Sequence, residues 1–248
     1  MTEPFALRLQ AVSKSFGGLR AVDGVELALR PGERRALIGP NGAGKTTLFN
    51  LIAGALPVSA GRITLFGDDV TGMAQHRRAA RGLARTFQIT NLFPTLTVLD
   101  NARLAAQART PARFAMLRPV RRFPDLEARA REALAAVGLA GRADTRVRHL
   151  SHGEQRQLEI AMALAGRPRL LLLDEPAAGL SQAEAHLMTA LLHRLDPAIT
   201  LLIIEHDMDI ALQVAGHVTV LHYGRVIADG TREAVKADPT VREIYLGA

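Results

Sequence analysis

Apolar and polar residues alternate over Ala6 to Val12 and again over Val25 to Leu29, the period-two pattern of half-buried antiparallel strands. Between them Phe16-Gly17-Gly18 places an aromatic in a turn. A short apolar run, Ala36-Leu37-Ile38, then meets a glycine-rich loop, and Leu48, Leu51 and Ile52 follow at helical spacing. Ile63 to Phe66 reads as a strand ended by Gly67-Asp68, Met73 to Arg81 as a basic helix, and Ala84 to Gln88 as another strand.

The rhythm changes after Gln88. Thr97 caps a helical pattern through Val98, Leu99, Ala102, Leu104 and Ala105. Pro111, Pro119 and Pro124 make the stretch from Arg109 to Pro124 a loop or a broken helix, and Leu126 to Val137 is helical again, closed by Gly138. Ser151 opens a further helix with Leu158, Ile160, Ala161 and Leu164 on its buried side; Glu154, three residues on, completes a capping box. Two continuous apolar runs follow, Leu170 to Leu173 and Ile199 to Ile204, with the amphipathic helix Gln182 to Arg194 between them. Strands apolar on both faces suit the centre of a parallel sheet. A hairpin through Tyr223-Gly224 joins Val218–Leu221 to Arg225–Ala228, and a short C-terminal helix is expected between Ala237 and Gly247. The expected fold is α/β: a core with a parallel central sheet and an N-terminal antiparallel β lobe, built from residues 1–88 and 166–230, an inserted α-helical lobe over 89–165, and a tail over 231–248. All 248 residues are expected to form one domain.

Composition narrows this picture. There are no cysteines, so disulfides and thiolate metal sites are excluded. The longest apolar runs are strand-sized, far short of the roughly 20 residues that cross a bilayer, and Met1-Thr2-Glu3-Pro4 opens no apolar signal segment. The expectation is a soluble, cytoplasmic protein. The net charge of +7 is uneven: Val70 to Arg148 carries fifteen arginines against five acids. Such a segment invites either an anionic partner, nucleic acid or a membrane surface, or simply a solvated helical face. Two tyrosines and no tryptophan leave few stacking platforms for a single-strand binder.

The chemistry centres on Gly39-Pro40-Asn41-Gly42-Ala43-Gly44-Lys45-Thr46-Thr47, which matches G-x-x-x-x-G-K-[ST] in the strand–loop–helix setting that the motif requires. Its glycines let backbone N–H groups turn inward on phosphate oxygens, and the helix that starts near Gly44 adds its positive end. Lys45 would reach the β and γ phosphates, and the Thr46 hydroxyl would take a Mg²⁺ position. Asp174 and Glu175 end the first buried strand, where ligands of parallel sheets sit. There Asp174 would hold Mg²⁺ through water, and Glu175 would orient and deprotonate an attacking water. His206 follows the second buried strand, where a neutral imidazole can donate to a γ-phosphate oxygen. Gln88 can accept from a metal-bound water and donate to phosphate at once. Phe16 is placed either to stack on an adenine ring or to fill the core. Ser151 and the glycine after it begin a helix whose free N–H groups could present a second phosphate surface.

In that order and spacing these residues resemble the ATP-binding subunits of ABC transporters along the whole chain. The glycine loop resembles Walker A, Leu170 to Glu175 resembles Walker B, and Leu150 to Gln155 resembles the LSGGQ signature. Gln88 resembles the Q-loop glutamine, His206 the H-loop histidine and Phe16 the adenine-stacking aromatic. Arg81 to Gln88, the helical insert after it, Asp174 to Leu180 and the ending from Asp238 are similar to the branch that takes up branched-chain amino acids, a branch that also holds urea and amide importers. Lipid or lipopolysaccharide export is an alternative from a neighbouring branch. His152 departs from the signature glycine, and Ser181 stands where many members have the D-loop aspartate.

The resemblance implies an ATP- and Mg²⁺-dependent hydrolase that works as a head-to-tail pair. In such a pair ATP lies between Walker A of one subunit and Ser151, Gly153 and Glu154 of the other, with Gln88, Thr46 and Asp174 at the metal and Lys45, Gln88, Glu175 and His206 as the catalytic groups. It further implies two membrane permease subunits that seat a cytoplasmic helix beside Gln88, a periplasmic solute-binding protein, and a peripheral position on the cytoplasmic face of a bacterial inner membrane. No nucleic-acid partner is expected, because the insert is compact and lacks coiled-coil heptads. The arginine-rich lobe, with Arg118, Arg121 and Arg122, is expected to face the membrane.

Overall fold

A computed structural model describes residues 5–86, 92–108, 110 and 123–246, and they fall into two compact units. The first comprises residues 1–85, 169–175 and 196–248; the second comprises 86–168 and 176–195.

In the first unit β1 (Leu7–Phe16) and β2 (Leu19–Leu29) form one long hairpin. The alternating residues Leu7, Leu9, Leu27 and Leu29 are buried on one face. The hairpin runs further than the apolar pattern predicts, because Lys14, Ser15 and Arg20 pair by backbone while their side chains carry no alternation. Phe16 is therefore the last residue of a strand, and the turn itself is Gly17-Gly18, with Gly17 at φ 56°. β3 (Arg34–Ile38) leads through the glycine loop to α1 (Lys45–Ala53), whose Leu48, Phe49, Leu51 and Ile52 are all fully buried. β4 (Ala60–Leu65) and β5 (Asp68–Asp69) complete an antiparallel sheet in the order β2-β1-β4-β5. α2 (Gln75–Ala80) is shorter than the predicted basic helix, and β6 (Leu83–Arg85) begins one residue before the predicted strand. Gln88 lies outside the described residues.

The second unit is helical. α3 (Val98–Ala108), α4 (Pro124–Ala136) and α5 (His152–Ala165) pack against one another through Ala102, Ala106, Ala130, Ala133 and Ala161, small side chains that let the axes approach. At the start of α3 the fully buried Asn101 accepts from Phe93 N–H (2.8 Å) and donates to the carbonyls of Phe93 (3.2 Å) and Thr97 (2.9 Å). Arg118, Arg121 and Arg122 lie outside the described residues.

Beyond this insert, β7 (Leu170–Asp174) returns to the first unit, and α6 (Gln182–Arg194) belongs to the helical one. β8 (Thr200–Ile204), α7 (Met208–Val214), β9 (His217–His222), β10 (Arg225–Thr231), α8 (Arg232–Ala237) and α9 (Pro239–Leu246) finish the chain. The apolar pattern does not anticipate α7. Its start rests on Asp207, whose carboxylate caps the N–H groups of Asp209 (2.8 Å) and Ile210 (3.2 Å). The second sheet has the order β10-β9-β3-β8-β7-β6, parallel except where β10 meets β9. β7 and β8 are buried at every residue, as their unbroken apolar runs require. One cluster fills the space around α1, between the two sheets, while α7, α8 and α9 cover the other face through Ala211, Leu212, Val235 and Val241.

The arginines of the basic segment are not all surface charge. Arg78 is 1% exposed and donates to four carbonyls: Leu51 (2.7 Å), Ile52 (2.8 Å), Met73 (2.9 Å) and Thr71 (3.0 Å). Two of these carbonyls end α1, so Arg78 closes the C-terminus of the helix that carries the glycine loop. Arg103 pairs with Asp100, Arg131 with Glu127 and Arg142 with Glu154. Arg78→Met is expected to leave buried carbonyls unpaired and to lower stability by about 3 kcal/mol, read as a fall in melting temperature.

Candidate nucleotide site

The strand order explains why residues far apart in sequence meet. β3, β8 and β7 are parallel neighbours, so the glycine loop, the residues after Ile204 and the residues after Leu173 all emerge at one edge of the sheet.

Two glycines of the loop leave no room for a side chain. A Cβ on Gly39 would lie 2.1 Å from Leu221 O, and one on Gly44, at φ 102°, would lie 2.4 Å from Ala21 O. The tip is held by Ala43 N–H donating to Pro40 O (3.2 Å) and by Gly224 N–H donating to Ala43 O (2.9 Å). Asn41 and Gly42 are exposed there. Gly44 occupies the N-cap of α1 without offering a side-chain acceptor, so helix geometry leaves the first-turn N–H groups of Lys45, Thr46 and Thr47 without an intrahelical partner. An anion is the natural complement of that end. Thr46 is exposed and Thr47 half-buried.

Lys45 is 7% exposed, and its ammonium donates to Gly39 O (2.5 Å) and Pro40 O (3.0 Å). Burial pulls its pKa below the usual lysine value, against the opposing pull of the Glu175 and Asp174 carboxylates. A cation is thus held next to two acids and under the loop.

Asp174, at the end of β7, is 3% exposed. Its Oδ2 accepts from Arg85 Nη2 (2.9 Å), and Arg85 Nη1 donates to Asn50 Oδ1 (2.6 Å). Asp174 Oδ1 is buried with no hydrogen-bond partner among the described residues. A buried carboxylate oxygen is costly unless something satisfies it. No group of three or more acidic or histidine side chains that could hold a metal exists among the described residues. Mg²⁺, however, commonly takes one or two carboxylates and completes its shell with water and phosphate oxygens, so the residues present fit it.

Glu175 sits at φ 49°, a left-handed backbone unusual for a non-glycine residue, and its N–H donates to Ile204 O (3.0 Å). Strain of this kind persists where surrounding structure imposes it, and functional sites are common places for it. The Glu175 carboxylate is 4.0 Å from His206 Nδ1, and both side chains keep access to water. Phe16 stands half-exposed at the end of β1, with the Lys14 ammonium 5.1 Å from its ring centroid.

In the helical unit Ser151 caps α5. Its hydroxyl accepts from Glu154 N–H (3.2 Å), and Glu154 accepts from Ser151 N–H (2.9 Å) and from Arg142 (2.9 Å). The Ser151 hydroxyl hydrogen remains able to donate outward. Gly153 is buried against the side chain of Glu184.

Sequence reasoning missed two residues. Arg85 could be seen to end a strand, but its approach to Asp174 depends on β6 lying beside β7, a pairing that no local pattern announces. Glu184 is legible as the end of a second capping box, Ser181 to Glu184, but its contact with Gly153 joins two helices and is not.

A glycine loop over a lysine, an aspartate and a glutamate on the next strands but one, and a histidine between them define a P-loop nucleoside-triphosphate hydrolase. Residues 22–178 match the ABC transporter family model, and residues 225–248 match that of the branched-chain amino acid ATP-binding cassette transporter. The high-affinity branched-chain amino acid transport ATP-binding protein BraF of Pseudomonas aeruginosa is 38% identical, covering 100% of this chain and 99% of its own. LivG of Escherichia coli, similarly described, is also 38% identical over 100% of this chain and 99% of its own. The crystal structure of the ADP conformation of an ATP-binding cassette of an ABC transporter superposes with a TM-score of 0.85 at 33% identity, covering 98% of this chain and 99% of that one. The chain belongs to the ABC transporter family, as an ATP-hydrolysing cassette.

Proposed function

We propose that this chain powers the uptake of branched-chain or other hydrophobic amino acids through separate membrane subunits. What carries the reading is the likeness to BraF and LivG, which extends from end to end and into the separate C-terminal match over residues 225–248. No helix among the described residues is long and apolar enough to cross a membrane, in keeping with a channel supplied by other chains and a peripheral place on the cytoplasmic face.

The working unit is a head-to-tail pair with two ATP molecules. The loop from Gly39 to Thr47 wraps the phosphates of one ATP while Ser151 and Gly153 of the opposite subunit close on its γ phosphate, with Glu154 holding Ser151 in place. Phe16 stacks on the adenine. Lys45 turns its ammonium from the Gly39 and Pro40 carbonyls toward the β and γ phosphates. Thr46, Gln88 and, through water, Asp174, whose Oδ1 has no partner among the described residues, would hold Mg²⁺, which would offset phosphate charge. Glu175 takes a proton from the attacking water, and His206, beside it, donates to the γ-phosphate oxygen on which charge collects. Contacts made only while the γ phosphate is in place bias the pair toward closure, and hydrolysis removes them.

Cells lacking this chain are expected to lose saturable uptake of labelled leucine, regained with the wild-type chain and not with a Lys45→Met variant. Uptake of leucine unchanged by the deletion, with loss of urea or amide uptake, would redirect the substrate assignment. Closed pairs are expected not to retain DNA or RNA at moderate salt.

A further inference from the structure

Of the two departures from the family pattern, Ser181 is bound directly to one side chain, Glu184 on α6, and His152 acts on the same carboxylate through its charge. One of its oxygens, Oε2, accepts from Ser181 N–H (3.0 Å) and from the Ser181 hydroxyl (2.7 Å), which is the ordinary work of a capping box. The other oxygen does something a cap does not require. Oε1 lies 2.9 Å from where a Cβ on Gly153 would stand, with Cδ at 3.3 Å and Cγ at 3.4 Å, so the end of the side chain packs against that glycine. His152, next to it, reaches over Gly179 just before Ser181, its Nε2 3.4 Å from a Cβ built there.

Gly153 is the second residue of α5, where helix geometry leaves an N–H unpaired and the helix dipole favours a negative charge. Hydrogen bonds from the Ser181 hydroxyl and then from Ser181 N–H hold Glu184 below its usual pKa, with smaller help from Gly153 N–H and the charge of His152. Glu184 is therefore an anion, and it packs against the residue whose amide the proposed function gives to the γ phosphate of the opposite subunit's ATP.

We propose that Glu184 is a positioning residue that acts as a resident stand-in for the γ phosphate: in the unpaired subunit its carboxylate covers Gly153, and closure of the pair requires ATP to displace it. The consequence is a link within one subunit between the signature helix and the D-loop. While Glu184 bridges them, the N-termini of α5 and α6 are tied together. When phosphate takes the Gly153 amide, Oε1 is released, and the segment from Gly179 to Ser181 is free to move relative to α5. Closure then discriminates ATP from ADP twice, since only a γ phosphate reaches far enough to compete with the carboxylate. Ser181 takes part by holding Oε2 with its hydroxyl, a short neutral donor.

This inference rests on the head-to-tail reading, and the test separates the two. Glutamine at position 184 can still serve a capping box but brings no negative charge to Gly153. ATP-driven closure would be followed by sedimentation or cross-linking in a Glu175→Gln background, with and without Glu184→Gln, on the subunit together with its transporter partners. The expected result is that Glu184→Gln lowers the ATP concentration for half-closure by roughly tenfold, the effect of removing one charged competitor for an amide. ADP binding to the unpaired subunit, which depends on the glycine loop alone, is expected to stay within about twofold. Half-closure at an unchanged or higher ATP concentration, or an equal shift in ADP binding, would overturn the stand-in role and leave the pair intact. Failure of the Glu175→Gln protein to close at any ATP concentration would overturn the head-to-tail reading itself.

Discussion

Glu175→Gln is expected to reduce ATP turnover by at least about 100-fold while leaving ATP binding nearly unchanged. The amide keeps the shape of the carboxylate and the backbone bond to Ile204 O, so the left-handed turn at φ 49° has no new reason to change. What is lost is the basic oxygen that lies 4.0 Å from His206 and would take the proton of the attacking water. Lys45 loses one of the two carboxylates that favour its charged form, but Asp174 remains, and the ammonium still has its carbonyl partners. The variant is therefore expected to bind ATP, close and stall. Phosphate release under saturating ATP checks the rate, and filter retention of labelled ATP checks the binding. A variant that turned over at more than about a third of the wild-type rate would remove Glu175 from its role as general base.

The sequence is most legible where local chemistry is under strong constraint. The glycine loop can be read because two of its positions admit no side chain at all, at Gly39 and Gly44, and because a lysine must follow. Strands β7 and β8 can be read because burial on both faces demands unbroken apolar runs. The capping boxes at Ser151 and Ser181 can be read because a cap is satisfied within four residues. Elements held by something remote are harder to see. The end of the β1–β2 hairpin pairs Lys14 with Val22, Ser15 with Arg20 and Phe16 with Leu19, a mixture that leaves no regular alternation to detect. The seven residues of α7 are too few to show a helical period, and their start depends on a single aspartate. Arg78 and Arg85 look in the sequence like members of a basic surface. One is buried among carbonyls and the other is bound to Asp174, because packing decided the role of each charge and composition could not.

That distinction also bears on the site. Arg85 satisfies one oxygen of Asp174 and ties it to Asn50 on α1, the same helix that begins with Lys45. The aspartate is consequently fixed relative to the glycine loop before any nucleotide arrives, and its remaining oxygen has no partner among the described residues. Preorganisation of this kind avoids part of the cost of ordering the site on binding.

Lys45→Met is expected to have the larger effect on binding, and it separates holding the nucleotide from cutting it. At 7% exposure the lysine is held as a cation in a place where burial disfavours charge, so methionine, similar in length and apolar, removes that penalty. The Gly39 and Pro40 carbonyls lose their donor, which offsets the gain, and the apo protein is expected to melt within a few degrees of wild type. ATP then meets a loop without its charge partner. A ligand at about 100 times its Kd stabilises the folded chain by roughly 2.7 kcal/mol, so wild type should show a clear ATP-dependent rise in melting temperature and Lys45→Met should show little or none. Hydrolysis is expected to fall at least about 100-fold, because in the proposed mechanism the same ammonium would neutralise charge that grows on the departing phosphate. Glu175→Gln would keep the thermal shift and lose the turnover; Lys45→Met would lose both. If the lysine variant kept the full ATP-dependent shift, the phosphates would have to lie somewhere other than over the loop between β3 and α1, and the placement of every other group around them would fall with it.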